Sequence, residues 1–386
     1  MTKLHAAIAG LGFMGRTHLQ ALRRLGIEVA GIIGVSAEAG QKFARDFHLD
    51  YIYRDFDELI ADKQVNVVHI CTPNNLHYPM AKAALKAGKR AVGGGVICEE
   101  PLATNSQETR ELVDLAETKG LTAVVNYNLR LYPLCQEART RLQGGEVGEV
   151  YLVHGGYLQD WLFLPTDWNW RLDAEAGSSR VVADIGTHWL DMITWLTGHK
   201  VVEVMFYAPV IKTRYKPLHD METFSSKLVK AEDTQPVKIQ TEDCAVLLLR
   251  LDNGARGAVT LSQVSAGRKN YFWWEVSGSK ASLRWEQEDP NTLWIGHRDR
   301  PNEVLVKDPA LMHPHSRAAA GYPGGHAEGY LDIIVQMFIL DTRASGGWQL
   351  YRYQPDSHLC GRAREVRHSG MLFCEAILVR PVIKAG

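Results

Sequence analysis

Short apolar runs alternate with amphipathic helical patterns through the first third of the chain. "LHAAIAG", "EVAGII", "VNVVHIC", "VICEE" and "TAVVNYN" are strand-length runs with no polar alternation, the pattern of strands buried on both faces. Between them, a helix runs from about Met14 to Leu25, and "AEAGQKFARDF", "HYPMAKAALKAGK" and "SQETRELVDLAETKG" carry helical spacing. Gly88 and Gly120 stand where two of these helices end, and Ser106 is placed to cap the start of the last. Such alternation implies right-handed crossovers and a parallel, doubly wound sheet.

After about Asn126 the pattern changes. "EVYLVHGGYL", "KVVEVMFYAPV", "CAVLLLRL", "ARGAVTLSQV", "NYFWWEVSG" and "ASLRWEQ" are strands, several joined by turns such as "DNG" and "SGSK". They predict an antiparallel meander with one helix inserted before it. Residues 209–240 show no clear period and are expected to form a long connection. From about Gly346 the pattern again has no usable period. The expected organisation is therefore α/β plus α+β. It comprises a doubly wound α/β domain (1–126), an α+β domain with a mostly antiparallel sheet (127–345), and an atypical tail (346–386).

The inserted helix contains "ADIGTHWLD", residues 183–191. Ile185, Trp189, Met192 and Leu196 recur at helical spacing, and Gly198 can end the helix. Asp184, His188 and Asp191 recur at i, i+4 and i+7, so a polar stripe crosses an otherwise apolar helix.

Composition narrows the function classes. A chain of 386 residues exceeds what one core usually supports, which favours two domains. A net charge of −1 gives no reason to expect a nucleic-acid or membrane partner, and the apolar runs are too short to span a bilayer. The first residues lack a secretory cleavage pattern. Six cysteines without a C-x-x-C pair fit thiols kept reduced in the cytoplasm. His313, His315 and His326 lack zinc spacing, so no metal is expected.

"GLGFMG" places Gly10, Gly12 and Gly15 after the first strand and at the start of the first helix, the context that makes G-x-G-x-x-G a dinucleotide signal. Gly10 allows the tight turn, Gly12 lets backbone approach a pyrophosphate, and Gly15 lets helix pack on strand. Phe13 and Met14 lie inside the same motif and are expected at the cofactor. Where an acid usually binds the ribose hydroxyls, this chain has Gly34, with Ser36 two residues on; neither repels a 2′-phosphate. The cofactor is thus NAD(P), with a slight preference for NADP. "CTPNNLH" follows the third strand, at the carboxyl edge where open α/β sheets place ligands. Thr72, Pro73, Asn74 and His77 are expected at the cofactor, although Asn74 or Asn75 can equally cap the next helix.

Four stretches, "AIAGLGFMGRTHLQAL", "CTPNNLHYPMAKAALKAGK", "CEEPLATN" and "DIGTHWLDMITWLTG", together resemble the glucose–fructose oxidoreductase/inositol dehydrogenase (Gfo/Idh/MocA) family. The resemblance spans roughly residues 3–340. It implies a Rossmann domain, then a large sheet whose face carries the substrate site against the nicotinamide. It also implies oxidation or reduction of a carbon of a sugar, inositol or related polyol, and a homo-oligomer formed through the second sheet. The family's D-x-G-x-x-H motif falls on Asp184, Gly186 and His188, which makes His188 the proton-exchanging group. Imidazole titrates near neutrality, so the chemistry agrees. By the same resemblance, Glu99 and Asn126 contact the cofactor, Arg130 and Trp170 the substrate, and Arg171 either.

One motif departs. The family normally carries Glu-Lys-Pro, and here Glu99, Glu100 and Pro101 put an acid in the lysine position. Glu100 is then either a recruited base, a bystander to His188, or a sign of lost activity. Two rival readings follow: a silent NAD(P)-binding regulator or sensor, and a glycoside hydrolase that uses the nicotinamide transiently.

Overall fold

The computed structural model describes residues 4–88, 95–173, 179–211, 213–218 and 229–343. They form two compact units. The first contains the residues up to Asn128 together with the helix from Tyr330, and the second runs from Leu129 to Gly329.

In the first unit, β1 (His5–Ala9), β2 (Glu28–Ile33), β3 (Val67–Ile70), β4 (Gly95–Cys98) and β5 (Thr122–Val125) form one parallel sheet in the order β2-β1-β3-β4-β5. Helices α1 (Phe13–Arg24), α2 (Ala37–Phe47), α3 (Phe56–Ala61), α4 (Asn74–Lys86) and α5 (Ser106–Lys119) form the crossovers. Apolar strands bury both faces: Ala6, Ile8 and Ile32 pack under Leu19, Leu22 and Phe43, while Ala7, Val68 and Ile70 pack under Ala84, Leu112 and Ala116. The strand order reverses between β1 and β3, the place where such sheets bind ligands.

The second unit begins with α6 (Pro133–Gln143). Its sheet comprises β6 (Val150–Leu158), β7 (Val201–Tyr207), β10 (Cys244–Leu251), β11 (Arg256–Ser262), β12 (Tyr271–Gly278), β13 (Ser282–Glu286), β14 (Asp289–Gly296) and β15 (Glu303–Val306). The spatial order is β15-β14-β13-β12-β6-β11-β10-β7. All pairings are antiparallel except β6 with β11, so the expected simple meander is corrected: β6 enters the middle of the sheet beside a later strand. α7 (Thr187–Thr197) lies on the inner face, where Trp189 donates to the Trp273 carbonyl at 3.0 Å. Gly155 makes that approach possible, because a Cβ there would stand 2.4 Å from the Trp189 indole nitrogen.

Further expectations are adjusted. Asn105, not Ser106, caps α5, accepting from the Glu108 amide at 3.0 Å; as the last residue in extended backbone, Asn105 is the one able to reach it. Residues 209–240 are not all connection: β8 (Arg214–Pro217) and β9 (Thr234–Val237) pair there as a two-stranded sheet. α8 (Tyr330–Arg343), expected with the second domain, packs instead in the first unit, where Ile334 and Phe338 are buried among Ala6, Leu19 and Ile97. The tail from 346 lies outside the described residues, as does most of the glycine-rich link before β4.

Candidate active site

In the first unit, the carboxyl edge of the sheet is laced in a row. Gly10 donates to the last carbonyl of β2, Cys71 to that of β1, Glu99 to that of β3 and Asn126 to that of β4, at 2.7–3.0 Å. Gly10 has φ +96, and a Cβ there would meet the Cys71 carbonyl at 2.2 Å, so only glycine fits this turn. Gly15 is equally confined, with the Gly10 carbonyl 2.0 Å from its would-be Cβ. Gly12 is different: nothing lies within 4 Å of a Cβ built on it. It caps α1, whose first turn has no side-chain cap and no acidic residue. A helix start without a side-chain cap, with its positive dipole end, fits a dinucleotide's pyrophosphate. Phe13 is half exposed and Met14 Sδ accepts from Tyr330 at 3.3 Å, so both border α8.

Ser36 caps α2, its Oγ accepting from the Ala39 amide at 3.2 Å; the Glu38 backbone amide and then the Ser36 hydroxyl hold the exposed Glu38 carboxyl below its ordinary range. Gly34 lies close to Leu11, whose Cδ1 would stand 2.9 Å from a Cβ. Pro73 occupies the cap position of α4, so neither Asn74 nor Asn75 caps it. His77 is fully buried, its ring nitrogens each 2.8 Å from a carbonyl, that of Thr72 and that of Pro101. It thereby ties the loop after β3 to the loop carrying Glu100.

Beneath this edge is a buried polar group that the sequence reading missed apart from Glu99 and Asn126. Glu99 takes His18 Nε2 at 2.8 Å and Asn126 Nδ2 at 2.7 Å. On the other edge of the ring, His18 Nδ1 faces His69 Nδ1 at 3.0 Å and Cys71 Sγ at 3.4 Å. Burial, then the charge of His18, hold His69 well below the usual imidazole range; burial pushes the Cys71 thiol up. Among the described residues, His18, Cys71 and Glu99 are the one grouping with metal-ligand chemistry, their ligand atoms within 4.8 Å. Glu99 and Cys71 approach opposite ring nitrogens, an arrangement that suits a hydrogen-bonded chain. The signal was a histidine inside the apolar run "VNVVHIC".

In the second unit, the polar stripe resolves into separate partnerships. The expected uninterrupted α-helix over 183–191 instead opens with a π-helical turn, Val182–Gly186, before α7. Such turns re-aim side chains and are frequent at functional sites. Asp184 therefore faces away from a strict i, i+4 line. Its Oδ1 ion-pairs with Arg171 Nε at 2.8 Å, and its Oδ2 accepts from Gln263 Nε2 at 2.6 Å. Arg171 comes from the short turn Trp170–Leu172, and its guanidinium stacks 4.3 Å over Trp170. Asp191 is bound bidentately by Arg130, through Nε at 2.6 Å and through a second guanidinium nitrogen. Burial raises the Asp191 carboxyl above its ordinary range, opposed by the Arg130 charge. His188 has its ring centroid 6.1 Å from that of Tyr157, on β6.

The structure thus brings Asp184 and Arg171 together, gives Arg130 to Asp191, and leaves Asn126 and Glu100 in the first unit. Sequence reading missed Gln263, whose partners lie about eighty residues away.

A parallel sheet with an open glycine turn, joined to a mixed sheet bearing a carboxylate and an imidazole on one helix, defines a nicotinamide-dependent oxidoreductase by class. Residues 4–127 match the family described as an oxidoreductase family with an NAD-binding Rossmann fold, and residues 135–284 match the GFO/IDH/MocA C-terminal domain. An uncharacterized oxidoreductase, sll0816, of Synechocystis sp. is 30% identical over 73% of this chain and 72% of its own. Levoglucosan dehydrogenase of Pseudarthrobacter phenanthrenivorans is 28% identical over 90% of this chain and 91% of its own. A structure of levoglucosan dehydrogenase with NADH and levoglucosan superposes with TM-score 0.79 and 25% identity, covering 98% of this chain and 96% of that one. The chain belongs to the Gfo/Idh/MocA oxidoreductase family and is an NAD(P)-dependent dehydrogenase or reductase.

Proposed function

We propose that this enzyme oxidises or reduces a carbon of a sugar or polyol, with His188 exchanging the hydroxyl proton and Asp184 as its partner carboxylate. NAD(P), when bound, supplies the hydride acceptor or donor. The observation that carries the reading is the Asp184 carboxylate: one oxygen accepts from Gln263 and the other is ion-paired with Arg171, on the turn that leads into His188. A carboxylate held by a cation and a donor stays ionised and leaves the imidazole to take the O–H proton as the C–H hydride departs. The likeness to levoglucosan dehydrogenase supports a cyclic sugar-like substrate. Arg171 and Trp170 offer a cation and an aromatic face for it, and Arg130 holds the helix through Asp191.

For the cofactor, Gly10, Gly12 and the open start of α1 would hold the pyrophosphate, with Thr72, Asn74, Glu99 and Asn126 along the same edge. Gly34, standing where an acid would repel a 2′-phosphate, supports use of NADP at least as readily as NAD. The four described cysteines are free thiols, which supports residence in the reducing cytoplasm; among the described residues no helix is long and apolar enough to cross a membrane.

A second reading, an NAD(P)-binding sensor, is favoured by Glu100, which stands where the resemblance to the family leads one to expect lysine. The test is net NAD(P)H formation with a panel of sugars and polyols that includes levoglucosan. His188→Asn should cut turnover by roughly 10²–10⁴-fold while cofactor binding survives. Glu100→Gln should cost little. A loss with Glu100→Gln as deep as that with His188→Asn would make Glu100 the base. Tight cofactor binding without turnover of any polyol would establish the sensor.

A further inference from the structure

Gln263 follows β11 and is fully buried, yet its amide has two partners of opposite kind. Its Oε1 accepts from Arg180 Nη1 at 3.0 Å, and its Nε2 donates to Asp184 Oδ2 at 2.6 Å. Turned round, the amide would set its NH₂ against a guanidinium and its carbonyl against a carboxylate, two like contacts in a buried place. Arg180 therefore dictates which end of the amide Asp184 meets.

Arg180 is itself fixed. Its side chain is fully buried, its Nη2 donates to Asp243 Oδ1 at 2.6 Å and its Nε to Thr241 Oγ1 at 3.4 Å. Asp243 is held by Arg214 at 2.5 Å through the same oxygen and by the Ile211 amide at 2.7 Å through the other. Glu242 adds a second anion, accepting from the Arg180 and Val182 amides at 3.0 Å, where the π-helical turn begins. A chain of oriented donors thus runs from a buried, charge-balanced cluster outward to one oxygen of Asp184.

Resting on the Asp184–His188 reading, we propose that Gln263 is a positioning residue that gives the Asp184 carboxylate a single orientation, with Arg180 setting the polarity of its amide. Arg171 meets the other oxygen from a partly exposed position. Gln263 supplies the donor that solvent does not compete with.

Two variants separate positioning from packing. Gln263→Leu removes both hydrogen bonds at similar volume. Gln263→Glu keeps an acceptor for Arg180, which protects folding, but replaces the permanent amide donor with a second carboxylate, which donates to Asp184 only while the pair shares a proton and repels it once that proton is lost. With a polyol that the natural protein oxidises, both variants should lower kcat by about 10–100-fold, one to two decades of misorientation, with NAD(P)H affinity unchanged. In Gln263→Glu the acid limb of the kcat/KM profile should move to higher pH by at least about one unit. Crystal structures of Gln263→Leu, and of Gln263→Glu grown above the pH at which the pair loses its shared proton, should show the Asp184 carboxylate turned from its natural orientation. A carboxylate that keeps its orientation in both variants overturns the proposal, whether or not any polyol is turned over; so does an unchanged kcat and pH profile in a natural protein that is active. A carboxylate that turns in a protein without hydride transfer upholds the positioning role and removes the reading it rests on.

Discussion

His69 is a base with no room to become charged. It is fully buried in β3, and one of its nitrogens faces a nitrogen of His18 at 3.0 Å, so one proton at most can lie between them. With its folded titration depressed, the unfolded chain binds a proton near pH 6.5 that the folded chain refuses, and stability falls as pH drops through that value. The slope from this group alone reaches about 1.4 kcal/mol per pH unit. Urea unfolding of the natural protein and of His69→Asn at pH 7, 6 and 5 should show a shallower loss in the variant; equal slopes would dispose of the idea. Residue chemistry of this kind was partly legible. Asp184, His188 and Glu99 announce themselves as polar groups in apolar surroundings. Gln263, Arg180 and Asp243 do not, because each makes sense only beside partners that folding brings from far along the chain.

At the scale of elements, two glycines in one motif should behave oppositely. Gly12→Val enters open space, so the fold should survive while NAD(P) affinity falls at least tenfold, about 1.4 kcal/mol, measured by nicotinamide fluorescence. Gly10→Val drives a Cβ into the Cys71 carbonyl at a φ of +96, and its yield of folded protein should collapse. A Gly10→Val protein with native melting would show that the turn is not constrained as described. Between β2 and α2, Gly34→Asp requires that the end of the Leu11 side chain move and that the Gly40 backbone nitrogen, 3.3 Å from the new Cβ, give slightly, and it adds an acceptor that repels a 2′-phosphate. The ratio of NADP to NAD affinity should drop by about tenfold or more; an unmoved ratio would show that this loop does not set selectivity. Elements with a strong period were readable: the five parallel strands are mostly apolar, and α2, α4 and α5 carry clear helical spacing. β8, β9, β14 and β15 were not, because "RYKP", "TQPV", "DPNTLWIG" and "EVLV" are short or irregularly patterned, and pairing rather than propensity makes them strands.

For the molecule as a whole, the outer face of the large sheet is apolar toward one edge. Tyr207 pairs with Val246 and Met205 with Leu248, and all four are exposed, from 45% to 71%. We expect a homo-oligomer formed through these apolar residues, since exposed apolar patches are favoured places for protein contacts. Light scattering should give a dimer or larger for the natural protein, and Met205→Lys with Leu248→Lys should shift it toward monomer. A natural protein that is monomeric at micromolar concentration would refute this. Strand order was the least legible feature, since no local pattern says that β6 will run parallel to β11 in mid-sheet. The return of α8 to the first unit was equally hidden. That return sets an order of events during synthesis. The first unit emerges early but lacks the helix that covers Ala6, Leu19 and Ile97 until the ribosome has translated the whole second unit. The nascent first unit must therefore wait with an uncovered apolar groove, a target for chaperones and proteases. A fragment ending at Asn128 should be insoluble, and it should regain solubility when a peptide with the sequence of α8 is supplied in trans.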